Sequence, residues 1–149
     1  MTDAQKTKLA ALARSLTGVP YSYGASGDEA PKAFDCSSFT QYLFQKIGIT
    51  IPRSSILQAA DEQSKEIAIA PDFSNLETGD LVFMRGVRGF YRDSLFGGRE
   101  ISIGHVGIYL GNNEVVHAQQ HDIPYGVIIQ NIPDLIRDPH YAIVMAKRY

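Results

Sequence analysis

The period of the hydrophobic pattern changes part-way along this chain, and that change constrains the fold more than any other feature. Up to about residue 63 the apolar residues recur at helical spacing. From residue 79 they alternate or cluster in short runs typical of strands. Helices first and strands later is the pattern of an α+β domain. The first helix is expected over residues 3–16, with Thr2-Asp3-Ala4-Gln5 as a capping box and Leu9, Leu12, Ala13 and Leu16 on one face. A second should start after Asp35, a good N-cap, and stop at Gly48. A third is expected from Ser54 or Ser55 to about Gln63. Five strand-like runs follow, at 81–84, 105–110, 114–118, 126–132 and 141–147. Their short connections predict a mainly antiparallel sheet of four to six strands packed against the N-terminal helices. The Gly- and Arg-rich stretch 85–100 has no clean period and reads as an inserted loop.

Composition narrows the function classes. The 149 residues suit one domain better than two. A net charge of −2 gives no electrostatic case for binding nucleic acid. No apolar run approaches the roughly 18–20 residues of a transmembrane segment. The single cysteine excludes an intrachain disulfide and any multi-cysteine metal site. The opening segment lacks the apolar core of a signal peptide. That leaves a cytoplasmic protein, a mature form, an excised domain or export by another route.

The one cysteine, Cys36, sits immediately after the Asp35 cap. Backbone amides and the positive end of the helix dipole converge there and favour thiolate, the nucleophilic form. His105 opens one strand and His117 lies in the next. A three-residue loop at Gly111-Asn112-Asn113 would set Leu110 opposite Glu114 and Gly107 opposite His117. The two histidines would then be diagonal neighbours on one face, about 7–8 Å apart at the backbone. A two-residue loop would put them on opposite faces. Together the three residues form a nucleophile, a base and an orienting group. His105 would take the Cys36 proton and later protonate a leaving amine, with activity rising as the two reach the ion-pair form. The Cys36 amide and the Tyr21 hydroxyl would hold the oxyanion.

Six motifs occur in chain order: Gly-Val-Pro-Tyr-Ser-Tyr-Gly (18–24), Asp-Cys-Ser-Ser-Phe (35–39), Ile-Pro-Arg-Ser-Ser (51–55), Gly-Asp-Leu-Val-Phe (79–83), His-Val-Gly-Ile-Tyr-Leu-Gly-Asn (105–112) and Val-His-Ala (116–118). Together they resemble those of the NlpC-type cell-wall cysteine peptidases. The resemblance implies a papain-like α+β fold over 1–149, a single peptidase domain with the insertion near 85–100. It implies hydrolysis of a peptidoglycan stem peptide or muropeptide, usually between γ-D-glutamate and the diamino acid that follows. It makes Cys36 the nucleophile, His105 the base, His117 the third polar member and Tyr21 a hydrogen-bonding group beside the nucleophile. Action at the cell envelope or outside the cell would follow from such a substrate. Ser38 departs from the glycine the family most often has there.

Tyr23, Ser37 and Arg53 are the candidates for touching substrate, Arg53 because a guanidinium suits a carboxylate. Gln58 reads as a solvated surface residue. Arg85, Arg88, Arg92 and Arg99 form a loose basic patch that reads first as solvated loop charge. His121 and His140 stand outside the scheme, and no metal or other cofactor is implied. Two competing readings are a thiol acyltransferase or amidase on another acyl substrate, and a non-enzymatic wall-binding module. Oligomeric state is not readable.

Overall fold

A computed structural model of the chain describes residues 1–85, 91–92, 94–120, 125–138 and 141–149, with only the backbone at 91–92. Three helices come first: α1 (Asp3–Ser15), α2 (Cys36–Lys46) and α3 (Ser55–Ala60). Each starts where a side chain satisfies free amides. Thr2 and Gln5 form the capping box of α1, Asp35 and Ser38 that of α2, and the Ser54 hydroxyl caps α3. The third helix ends at Ala60, short of the expected Gln63.

The strands are β1 (Lys65–Ile67), β2 (Leu81–Met84), β3 (Tyr91–Arg92), β4 (Glu100–Ile101), β5 (His105–Gly111), β6 (Glu114–Gln119), β7 (Gly126–Asn131) and β8 (Ile143–Arg148). A short helix, α4 (Ile132–Leu135), precedes β8. Six strands form one antiparallel sheet in the order β1-β8-β2-β5-β6-β7. The α+β architecture expected from the change of period is the one observed.

Strand alternation divides the interior in two. Leu81, Phe83, Val106, Ile108, Val116, Ala118 and Met145 face Leu9, Phe39, Leu43 and Phe44 of α1 and α2. Val82, Met84, Tyr109, Val115 and Ala146 face the other way, against Leu76, Ile132, Leu135 and Tyr141. Covered on both sides, β2 is buried throughout, which is why it reads as an unbroken apolar run. Helix α2 lies on β5 and β6.

The β5–β6 hairpin corrects one expectation and keeps its consequence. The loop is a two-residue turn, Asn112-Asn113, with both residues at positive φ (52° and 60°). By itself that turn would have separated the histidines. Leu110, however, is an extra residue: Tyr109 pairs with Val115 and Gly111 with Glu114. The bulge restores the register expected for the longer loop, with Ile108 opposite Val116.

The stretch 85–100, expected as an inserted loop, carries short elements of its own. β3 and β4 pair there as a small ribbon, and Ser94–Phe96 form a 3-10 turn. Phe96 and Ile101 bury themselves in the helix-facing core. Two-residue strands carry no period to detect. Residues 86–90, with Arg88, and residue 93 lie outside the described residues, as do the side chain of Arg92, His121 and His140. Arg99 pairs with Glu66 through both terminal nitrogens (2.9 and 2.7 Å), so it is not a free cation. Among the described residues no helix is long and apolar enough to cross a membrane.

Candidate active site

The start of α2 is built by residues from four segments. Asp35 accepts from the Ser38 amide (2.7 Å), and the Ser38 hydroxyl accepts from the Asp35 amide (2.9 Å). Ser38 thus supplies the returning arm of the cap, which glycine could not. Arg53 donates to both Asp35 oxygens (3.1 and 2.6 Å), to the Ala25 carbonyl (2.7 Å) and to the Ser37 hydroxyl (2.9 Å). Its two terminal nitrogens are therefore committed inside the protein rather than open to a substrate carboxylate. Ser37 is buried, with its hydroxyl held between Asp35 and Arg53. Gln58, expected at the surface, is fully buried. It donates to the Ser37 and Pro52 carbonyls (3.0 and 2.8 Å) and accepts from Thr40 (2.9 Å), joining α3 to α2.

Burial pulls Asp35 toward the neutral acid, but hydrogen bonds from Arg53 and Ser38 outweigh it and hold the carboxyl below its usual range. That fixed anion lies beside Cys36. Cys36 is partly exposed as a residue, and the nearby backbone amides of Val106 and Ser37 favour its anion. Burial first, then the Asp35 charge, push the thiol up to about 11, against the two amides and Arg53. Burial and the Asp35 charge thus oppose the thiolate that the helix start favours. A helix start contributes about 0.3–1 kcal/mol, under one pKa unit, and that is too little to offset burial and a neighbouring carboxylate.

Helix α2, which Cys36 opens, packs on β5, which His105 opens. His105 and His117 meet directly, Nε2 to Nδ1 at 2.8 Å, with rings edge-on at 83°. Gly107 lets the strands come this close: a Cβ there would lie 2.7 Å from Val115 Cγ1 and 3.2 Å from His117 Cβ. His117 Nε2 continues to Gln130 Oε1 on β7 at 2.7 Å. Burial lowers the His117 pKa to about 4, the Gln130 bond opposing, so the ring is neutral near pH 7. Tyr141 packs on both rings, 5.1 Å from His105 and 5.5 Å from His117, and donates to Gln119 Oε1 (3.2 Å).

Tyr21 reaches the site through a backbone clasp. Gly18 donates to the Val127 carbonyl (2.8 Å) and Val127 to the Val19 carbonyl (2.9 Å), laying the chain along β7. Phe34 donates to Pro20 (3.1 Å) and Ser22 to Phe34 (2.9 Å), which sets the half-buried Tyr21 beside the segment leading into Cys36. Burial, then the nearby Cys36 and Asp35 charges, raise its pKa, so the hydroxyl keeps its proton. Tyr23, two residues on, is 85% exposed.

Residues 18–134 match the model of the NlpC/P60 family. The chain belongs to that family. A probable endopeptidase of Corynebacterium glutamicum is 38% identical over 124 residues, covering 83% of this chain and 44% of that protein. The probable endopeptidase p60 of Listeria innocua is 37% identical over 118 residues, 78% of this chain and 20% of that protein. This NlpC/P60 chain thus spans less than half the length of either relative. In fold it is similar to the solved NlpC/p60 domain of the peptidoglycan hydrolase SagA, at a TM-score of 0.68 and 24% identity over 97% of this chain and 98% of that one.

Gln130, Tyr141 and the Asp35–Arg53 clamp were absent from the sequence reading. Gln130 was recoverable in principle: Ile128 pairs with His117, so Gln130 is its diagonal neighbour on the same face. No local pattern marks Tyr141, which precedes β8 rather than opening it. No group of three or more His, Cys, Asp or Glu among the described residues is placed to hold a metal ion.

Proposed function

We propose that this NlpC/P60 chain is a cysteine peptidase that hydrolyses peptidoglycan stem peptides, at the bond between γ-D-glutamate and the following diamino acid. The supporting observation is the row His105–His117–Gln130, joined at 2.8 and 2.7 Å, with the amide of Val106, the residue after His105, close enough to Cys36 to favour its anion. His105 takes the Cys36 proton, and the sulfur attacks the substrate carbonyl carbon. The Cys36 amide and the protonated Tyr21 hydroxyl donate to the developing oxyanion. His105 then protonates the departing amine. Water, deprotonated by His105, splits the thioester, releases the γ-glutamyl acid and returns the thiol. The substrate places this chemistry at the cell envelope.

Defined stem-peptide fragments incubated with the protein and read by mass spectrometry test the proposal. A new fragment pair broken after γ-D-glutamate, absent with Cys36→Ala, is expected. Fragments left intact by the wild-type protein would overturn it.

A further inference from the structure

We propose that Gln130 is a positioning residue: its side-chain carbonyl sets the tautomer of both histidines, with the His105 proton on Nε2 rather than on Nδ1. The tautomers stand apart from the activity proposed above; only their kinetic consequence rests on it.

Each neutral imidazole carries one N–H, so a chain of two rings has a single direction. Gln130 turns Oε1, which can only accept, toward His117 Nε2 at 2.7 Å. The His117 proton must then sit on Nε2, leaving Nδ1 as a lone pair. That lone pair faces His105 Nε2 at 2.8 Å, so His105 must carry its proton on Nε2. His105 Nδ1 is left unprotonated. Turning the Gln130 amide round would reverse every bond: His117 would donate from Nδ1, and His105 would hold its proton on Nδ1, unable to act as a base there. One amide orientation on β7 thereby decides the protonation of a ring two strands away.

The surroundings of His117 leave little to compete with Gln130. The ring is fully buried and neutral near pH 7. Among the described residues, the titratable or polar side chains placed against it are His105 from β5, Gln130 from β7 and Tyr141 from the segment before β8. The Tyr141 hydroxyl is directed to Gln119, and its ring covers the pair.

Nitrogen-15 NMR of histidine-labelled protein at pH 8 reads each tautomer directly. In the wild type both His105 and His117 should be Nε2–H. Gln130→Leu, which removes the acceptor, should give a mixture at both rings and lower kcat about tenfold or more with KM little changed. Gln130→Glu, an acceptor that cannot be turned round, should keep both rings Nε2–H and retain most of kcat. A wild-type His117 found as Nδ1–H would overturn the proposal, and this needs no variant to fold. So would a folded Gln130→Leu protein with both tautomers and kcat unchanged. If the wild type cleaves no stem peptide yet shows both Nε2–H tautomers, the substrate reading fails and the positioning role of Gln130 stands.

Discussion

Replacing Arg53 by methionine keeps most of the aliphatic stem but removes both guanidinium hydrogen bonds to Asp35. Asp35 is buried, and it would keep only the Ser38 amide and the Ser37 hydroxyl. Removing one partner of a fully buried pair costs about 3–5 kcal/mol. The Arg53 side chain is 39% exposed, so water replaces part of the loss and about 2 kcal/mol is the better figure. For a chain of this size that lowers the melting temperature by about 4–8 °C. The loss is tied to a carboxyl whose folded pKa is lowered. Its contribution is therefore present above the ordinary carboxylate pKa and is lost as pH falls through the folded value. The gap between wild type and Arg53→Met should close in acid, below about pH 4. The thiol reports the same contact independently. Arg53 lowers the Cys36 pKa and Asp35 raises it more, so at pH 8 Arg53→Met should slow Cys36 alkylation. Asp35→Asn combined with Arg53→Met should speed alkylation past wild type and recover part of the stability. Melting curves across pH, with alkylation followed by intact mass, measure both effects. An Arg53→Met protein with unchanged melting temperature and unchanged alkylation would refute the reasoning.

Three other outcomes follow from contacts already described. Gly107→Ala should cost about 1–3 kcal/mol by thermal melt, because the new methyl meets Val115, the Val116 carbonyl and His117 Cβ at 2.7, 3.0 and 3.2 Å. The same displacement of His117 should lower turnover. Gln58→Ala should cost about 2–3 kcal/mol, since the buried Ser37 and Pro52 carbonyls and the Thr40 hydroxyl lose their common partner. For His117, whose pKa falls to about 4 on folding, the unfolded chain binds the proton first. Its contribution to stability should therefore decline as pH drops from about 6.5 to about 4 and be absent from the pH dependence of His117→Gln.

Helix starts were legible because caps are local: Thr2 with Gln5, Asp35 with Ser38, and Ser54 each act within three residues. The strands that line the site, β5 and β6, were legible from their alternation. Their pairing illustrates a limit, since the loop type was misjudged and the Leu110 bulge compensated. Three-residue β1 and the β3–β4 ribbon are too short to show a period. The Cys36 environment was only half readable. The helix start is a sequence feature, but the weight of burial and the Asp35 charge depends on what folds over the thiol. Arg53, Gln58, Gln130 and Tyr141 act across 13 to 24 residues of chain, on partners that only the assembled sheet and helices bring near.

The central claim is that Cys36 is the nucleophile of this site. The direct measurement is stem-peptide cleavage by wild type and Cys36→Ala side by side, with circular dichroism and melting of both. The account predicts cleavage by the wild type and none above background from a Cys36→Ala protein that folds and melts like it. Substantial turnover by the folded Cys36→Ala protein would contradict the account.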